Sequence, residues 1–261
     1  MNWSYFGEIR CINLLEREDR YLNAKKVFDS IPGLNVNFFR TRRHPKGGTI
    51  GCYESHMACI RQAYDEGCET VLIFEDDIYA VEPKRLQRGL EEAINFMQAT
   101  PDWEIFFLGC VPEIIKNYTT KIDGHKDVYK VHAFGGHAYV LHRRYMAKVL
   151  QVPFIDHAID GLYAVNESAY AILPSLFYQG NFGTDIQKMN SGPIKDMGIK
   201  FVEMYSTGAN VPTTYVFLIL LVLFVLLVIL YAVNPKDRLI WFVLLILIGL
   251  VAISVIVSNQ W

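Results

Sequence analysis

Two uncharged runs near the end of the chain constrain its architecture more than any other feature. Tyr215 to Val233 reads YVFLILLVLFVLLVILYAV and Leu239 to Val257 reads LIWFVLLILIGLVAISVIV, nineteen residues each without a charge. At about 1.5 Å rise per residue each spans about 28 Å as a helix, close to the ~30 Å hydrocarbon core of a bilayer. A helix packed in a water-soluble core keeps a polar stripe, and neither run has one. The pattern therefore predicts transmembrane helices over 215–233 and 239–257. Asn234-Pro235-Lys236-Asp237-Arg238 between them stops the first helix and holds charge at the headgroups. So short a connection forces an antiparallel two-helix hairpin over 215–261, with both its flanks on one side of the membrane. Tyr215, Tyr231, Trp241 and Trp261 sit near the run ends, where amphipathic rings prefer the interface.

Residues 1–214 are enough for one sizeable core. The formal net charge of the chain is −2, so no basic excess points to nucleic acid, and nucleic acid is excluded as a partner. The first residues, MNWSYFGEIRC, lack the basic and apolar regions of a signal peptide. Five cysteines, an odd number without metal-site spacing, read as reduced core residues of a cytosol-facing domain. Sequons at Asn2, Asn117 and Asn166 point the other way, as do Lys236 and Arg238 in the hairpin turn against Lys195 and Lys200 on the domain side. The expected localisation is a multi-pass membrane protein with its N-terminal domain in the cytosol.

Short apolar runs alternate with helical periodicity through the first 180 residues. Strands are expected at Ile9–Leu15, Val36–Arg40, Val71–Phe74, Glu104–Gly109, Ala138–Leu141 and from Ala171. Helices are expected at Arg20–Ile31, Cys52–Glu66, Leu86–Met97 and Arg144–Gln151, with 111–130 irregular. Buried strands alternating with helices imply an α/β domain with a mostly parallel sheet. Lys188 to Thr214 shows little periodicity and reads as a linker.

The strongest chemical signal is Glu75-Asp76-Asp77 directly after the apolar run VLIF. In open α/β sheets ligands bind beyond the carboxyl ends of strands. Three adjoining carboxylates repel, and a hard cation such as Mg²⁺ or Mn²⁺ would offset that cost. By strand alternation Glu75 and Asp77 share a face and Asp76 points away. Two acids so spaced can bridge a divalent ion to a diphosphate. The triplet equally fits a solvated loop after a strand. Ser55 and His56 in GCYESHM fall at an expected helix start, whose N–H groups hold anions, or serve as a cap and a helix-face histidine. Asn13, Arg17 and Arg20 follow the first strand, where a nucleotide docks, or form a solvated helix start.

In order, INLLEREDR, IGCYESHMACIRQAYDEGCETVLIFEDD, GGHAYVLHRRYMAKVL, FIDHAID and FGTDIQ resemble glycosyltransferase family 25 over roughly residues 8–188. That family includes lipooligosaccharide and collagen galactosyltransferases, with members in large DNA viruses. The resemblance implies a GT-A-like (Rossmann-like) mixed sheet flanked by helices over 1–188, then a 189–214 linker and the 215–261 hairpin. It implies transfer of galactose or glucose from a UDP-sugar donor to a glycan, lipid-linked or protein acceptor, dependent on Mn²⁺ (or Mg²⁺) and inverting. Carried over, Asp77 is the first metal ligand, with Glu75 and Asp76 on metal or donor ribose. Asn13, Arg17 and Arg20 border the nucleotide, as do Ser55 and His56. An inverting transfer needs a carboxylate base, for which Asp160 is the choice and Asp156 the reserve. Asp185 in FGTDIQ is a metal or substrate contact. His137 is either a further metal ligand or a histidine satisfied beside a strand. The hairpin departs from better-known members, which leaves open an inactive fold of this family used as a membrane scaffold, for example in a virus particle.

Overall fold

The computed structural model describes residues 1–112, 119–154, 159–180 and 182, all within a compact unit, Met1–Thr207. The expected linker and hairpin lie outside the described residues. Among the described ones no helix is long and apolar enough to cross a membrane.

The chain opens β1 (Glu8–Leu14), α1 (Glu18–Asp29), β2 (Asn37–Thr41), α2 (Gly48–Asp65), β3 (Thr70–Glu75) and β4 (Ile78–Ala80). It continues α3 (Pro83–Ala99), β5 (Ile105–Pro112), β6 (Thr120–Lys121), β7 (Val128–Lys130) and β8 (Ala133–His142). It closes α4 (Arg143–Val149), α5 (Asp160–Tyr163), β9 (Ala169–Ile172) and β10 (Phe177–Gln179). Eight strands form one sheet in the order β2-β1-β3-β8-β5-β9-β7-β6, and β10 pairs with β4 apart from it.

Strand parity divides the core. Leu72 and Phe74 of β3, with Val140 of β8, pack on Phe28 of α1 and on Leu86, Leu90, Ala93 and Met97 of α3. Val71 and Ile73, with Tyr139 and Leu141, pack on the other face against Tyr53, Cys59, Ile60 and Ala63 of α2 and Tyr145 and Met146 of α4. Both faces of β3 and β8 are therefore buried, which is why these strands read as unbroken apolar runs. α3 repeats its apolar residues three and four apart, and the Glu82 carboxylate accepts from the backbone N–H groups of Lys84 and Arg85 at its N-terminus.

The sheet is mixed rather than mostly parallel. β1 pairs in parallel with β2 and β3, and β5 with β9, but β8 runs antiparallel between β3 and β5. For β8 to run parallel to β5, the chain between them would need a crossover of a dozen residues or more, usually a helix. The stretch after β5 instead holds the short β6 and β7, which pair antiparallel with each other. Reversal of β8 has one consequence for function: its first residues lie at the same sheet edge as the last residues of β1 and β3.

Candidate active site

β3 is buried from Thr70 to Phe74, and Glu75 is the first residue at its carboxyl end to regain partial exposure. Parity continues past the strand. Glu75, in phase with Ile73, turns to the α2 side, where its Oε1 lies 3.7 Å from His56 Nε2. Asp76, in phase with Phe74, turns to the α1 side. There its Oδ2 accepts from Asn13 Nδ2 at 2.7 Å and its Oδ1 from an Arg20 guanidinium nitrogen at 3.0 Å. The same nitrogen lies 3.2 Å from Asp77 Oδ2. Gln179 of β10 joins the remaining acids, its amide donating to Glu75 Oε2 at 2.7 Å and reaching Asp77 Oδ1 at 3.4 Å.

Asn13 is buried at the end of β1 because β1 and β3 run in parallel, with Ile12 beside Glu75. Its amide also donates to the Arg17 carbonyl, and its Oδ1 accepts from Arg40 Nε at 3.0 Å. Arg17 pairs with Asp19 at 2.8 Å and donates to the Phe182 carbonyl. From the opposite side Asp160, first residue of α5, accepts at Oδ1 from the backbone N–H of Gly136 in β8 at 3.2 Å. The fold thus gathers Asn13, Arg20, His56, Glu75, Asp76, Asp77 and Asp160 at one sheet edge. Asp156 and Asp185 lie outside the described residues.

Two expectations change. α2 begins at Gly48, with Gly47 before it at φ +114°, so Ser55 and His56 lie well inside the helix rather than at its start. Their own N–H groups belong to the helix interior. Ser55 Oγ donates to the Gly51 carbonyl at 2.6 Å, a one-turn back-bond. His137 is buried with both ring nitrogens on backbone carbonyls, Nδ1 2.8 Å from Gly135 O and Nε2 3.0 Å from Phe177 O. Its ring faces backbone carbonyls on both sides, with its one N–H donated to one of them, rather than facing the acids, because the β8 edge and β10 close around it.

Electrostatics match the crowding. Burial, then the charges of Asp160 and Asp76, push the Glu75 carboxyl up to about 8. Burial, then Glu75, pushes Asp77 up to about 7. Burial holds the His56 imidazole neutral, down at about 4, against the pull of Asp160. Two crowded carboxyls whose charged forms are disfavoured in this way are a place where a divalent cation would offset the repulsion. Their oxygens fit a hard ion. Gln179, Tyr139, Tyr163 and Cys52 also meet here and were not anticipated. Gln179 comes from a three-residue strand with no apolar run to announce it, and the tyrosines read as ordinary core aromatics.

Similarity in structure extends to a glycosyltransferase involved in glycosylation of the major capsid of PBCV-1, at 12% identity and TM-score 0.42, covering 74% of this chain and 99% of that one. It extends to A197 from STIV, at 12% identity and TM-score 0.39, covering 68% and 87%. CMP:2-keto-3-deoxy-manno-octonic acid synthetase complexed with CTP aligns at 10% identity and TM-score 0.38, covering 63% and 87%. No curated protein matches the chain by sequence at a significant level. Residues 35–162 match the profile of glycosyltransferase family 25, described as an LPS biosynthesis protein. That span runs from just before β2 into α5 and carries His56, the three acids after β3, and Asp160. The match over 35–162 supports membership of glycosyltransferase family 25, and with it a transferase.

Proposed function

We propose that the chain moves a hexose, galactose or glucose, from a UDP-sugar to a hydroxyl of a glycan, lipid-linked or protein acceptor, with inversion and in a metal-dependent manner. The observation that carries this reading is the acid cluster at the sheet edge, where Arg20 bridges Asp76 and Asp77 and Gln179 bridges Asp77 and Glu75, and where burial and neighbouring charge raise the Glu75 and Asp77 carboxyls. Asp77 and Glu75 would hold Mn²⁺ or Mg²⁺, and such an ion offsets negative charge on a departing diphosphate. Asn13, Arg17 and Arg20, at the carboxyl end of β1, border the nucleotide. Asp160 takes the proton from the acceptor hydroxyl as that oxygen bonds to the anomeric carbon and the bond to UDP breaks. Asp156 and Asp185 keep their proposed places as reserve base and substrate contact. A GT-A-like arrangement fits the mixed sheet with helices on both faces.

The uncharged runs at 215–233 and 239–257 support a membrane-anchored enzyme, its 1–188 domain facing the cytosol, where nucleotide sugars are found. Such a tether limits the acceptors to those at one membrane face.

Asp77→Asn tests the assignment. We expect sugar transfer to fall by at least about a hundredfold, with far-ultraviolet circular dichroism and thermal midpoint retained. Normal transfer by this variant would overturn the metal role of Asp77. Absence of tight Mn²⁺ and UDP binding by the unaltered chain would favour an inactive membrane scaffold instead.

A further inference from the structure

Glu75 has a second side that sugar transfer does not use. Its Oε2 is held by Gln179, on the side of Asp77, while its Oε1 looks toward His56 Nε2 at 3.7 Å. Cys52 lies four residues before His56 on α2, so the two side chains leave the helix on one face. The Cys52 sulfur, a His56 ring nitrogen and a Glu75 carboxylate oxygen all lie within 4.8 Å of one another. The other ring nitrogen, Nδ1, sits 2.5 Å from the Tyr139 hydroxyl, which in turn accepts from the Tyr163 hydroxyl at 3.0 Å. One nitrogen anchored by a buried hydrogen-bond partner and the other turned to a thiol and a carboxylate is how ligating histidines are oriented.

We propose that Cys52, His56 and Glu75 form a binding site for a zinc-class divalent cation, next to the oxygen-only site at Asp77 and sharing Glu75 with it through the carboxylate's other oxygen. Thiolate, imidazole and carboxylate together suit Zn²⁺, whereas Mg²⁺ and Mn²⁺ prefer oxygen ligands throughout. Three protein ligands leave a fourth position for water or a substrate oxygen, the pattern of reactive rather than purely structural zinc. Cys52 is only partly covered and the Glu75 side chain is 26% exposed, so an ion has an access route. Binding sends the Cys52 thiol proton to solvent. With the ion in place, the first turns of α2 would be clamped to the end of β3, holding Glu75 in position for the neighbouring site.

Cobalt(II) tests this without any sugar donor, so the outcome is separable from success or failure of the transferase reading. The full-length chain is purified in detergent, reduced, stripped with chelator and titrated with Co²⁺. We expect a near-ultraviolet thiolate-to-cobalt charge-transfer band that one equivalent of Zn²⁺ abolishes. Cys52→Ala should lose the band with its circular dichroism unchanged, and Asp77→Asn should keep it. If Cys52→Ala does not fold, Glu75→Gln serves instead and should weaken Co²⁺ binding at least about tenfold. No band in the unaltered chain, a band that survives Cys52→Ala, unchanged affinity in Glu75→Gln, or loss of the band in Asp77→Asn would each overturn the proposal.

Discussion

At the residue scale, His137 shows how a local pattern can suggest one chemistry and its surroundings impose another. From sequence this histidine reads either as a metal ligand or as one satisfied beside a strand. Its ring is closed in by the carbonyls of Gly135 and Phe177 and fully buried. Burial, opposed in part by those two carbonyls, holds the imidazole down to about 4 from its ordinary 6.5. The unfolded chain takes up this proton as pH falls through 6.5, while the folded chain resists until about 4. The contribution to stability is therefore whole above pH 6.5 and is lost, by about 3 kcal/mol, as pH falls across that window. Urea denaturation at about pH 7 and about pH 5 should show a smaller acid loss for His137→Asn than for the unaltered chain. Equal losses would mean that His137 is not buried neutral.

Glu75, Asp76 and Asp77 show the converse. Alternation along β3 places Glu75 with Ile73 on the α2 side and Asp76 with Phe74 on the α1 side. The partners follow, His56 for Glu75 and Asn13 with Arg20 for Asp76. Alternation could be read from seven letters of sequence. The partners could not, since Asn13 stands 63 residues from Asp76 and Gln179 stands 104 from Glu75.

At the scale of elements, the long apolar strands and the amphipathic α3 were legible because burial on two faces or on one stripe leaves a direct periodic trace. The start of α2 was not. The segment before Cys52 is glycine-rich, and glycine is a weak helix former, yet the helix runs from Gly48. The helix takes in Gly48 and Gly51 against their propensity, which moves Ser55 and His56 from a helix end to its interior. α3 has a clearer signal in Glu82-Pro83, where the carboxylate receives two backbone N–H groups, at 2.9 Å from Lys84 and 2.7 Å from Arg85, and proline opens the helix. Glu82→Ala should cost about 0.5–2 kcal/mol, read as a lower denaturation midpoint with unchanged slope. No loss would mean that solvent satisfies these donors equally well.

At the scale of the whole molecule, both apolar clusters are built from residues between Trp3 and Phe177, flanked by α1 and α3 on one side of the sheet and α2, α4 and α5 on the other. A chain ending at Thr207 should therefore unfold cooperatively and remain in the supernatant after high-speed sedimentation with vesicles. The full chain should sediment with them. Sedimentation of the shortened chain to the same extent would remove the reason for assigning the anchor to 215–261.

Composition and order along the chain determined several things without any coordinates: the two runs long enough to span a bilayer, the alternation of buried strands with helices, and the resemblance to glycosyltransferase family 25. Each follows from a short-range rule, in which hydropathy, period or motif is written in adjacent residues. Only the tertiary structure decided the reversal of β8, the Gln179 bridge between two acids, the enclosure of His137, and the meeting of Cys52 with His56 and Glu75. These depend on which distant strands become neighbours. That choice belongs to the burial of the whole sheet and leaves no local trace.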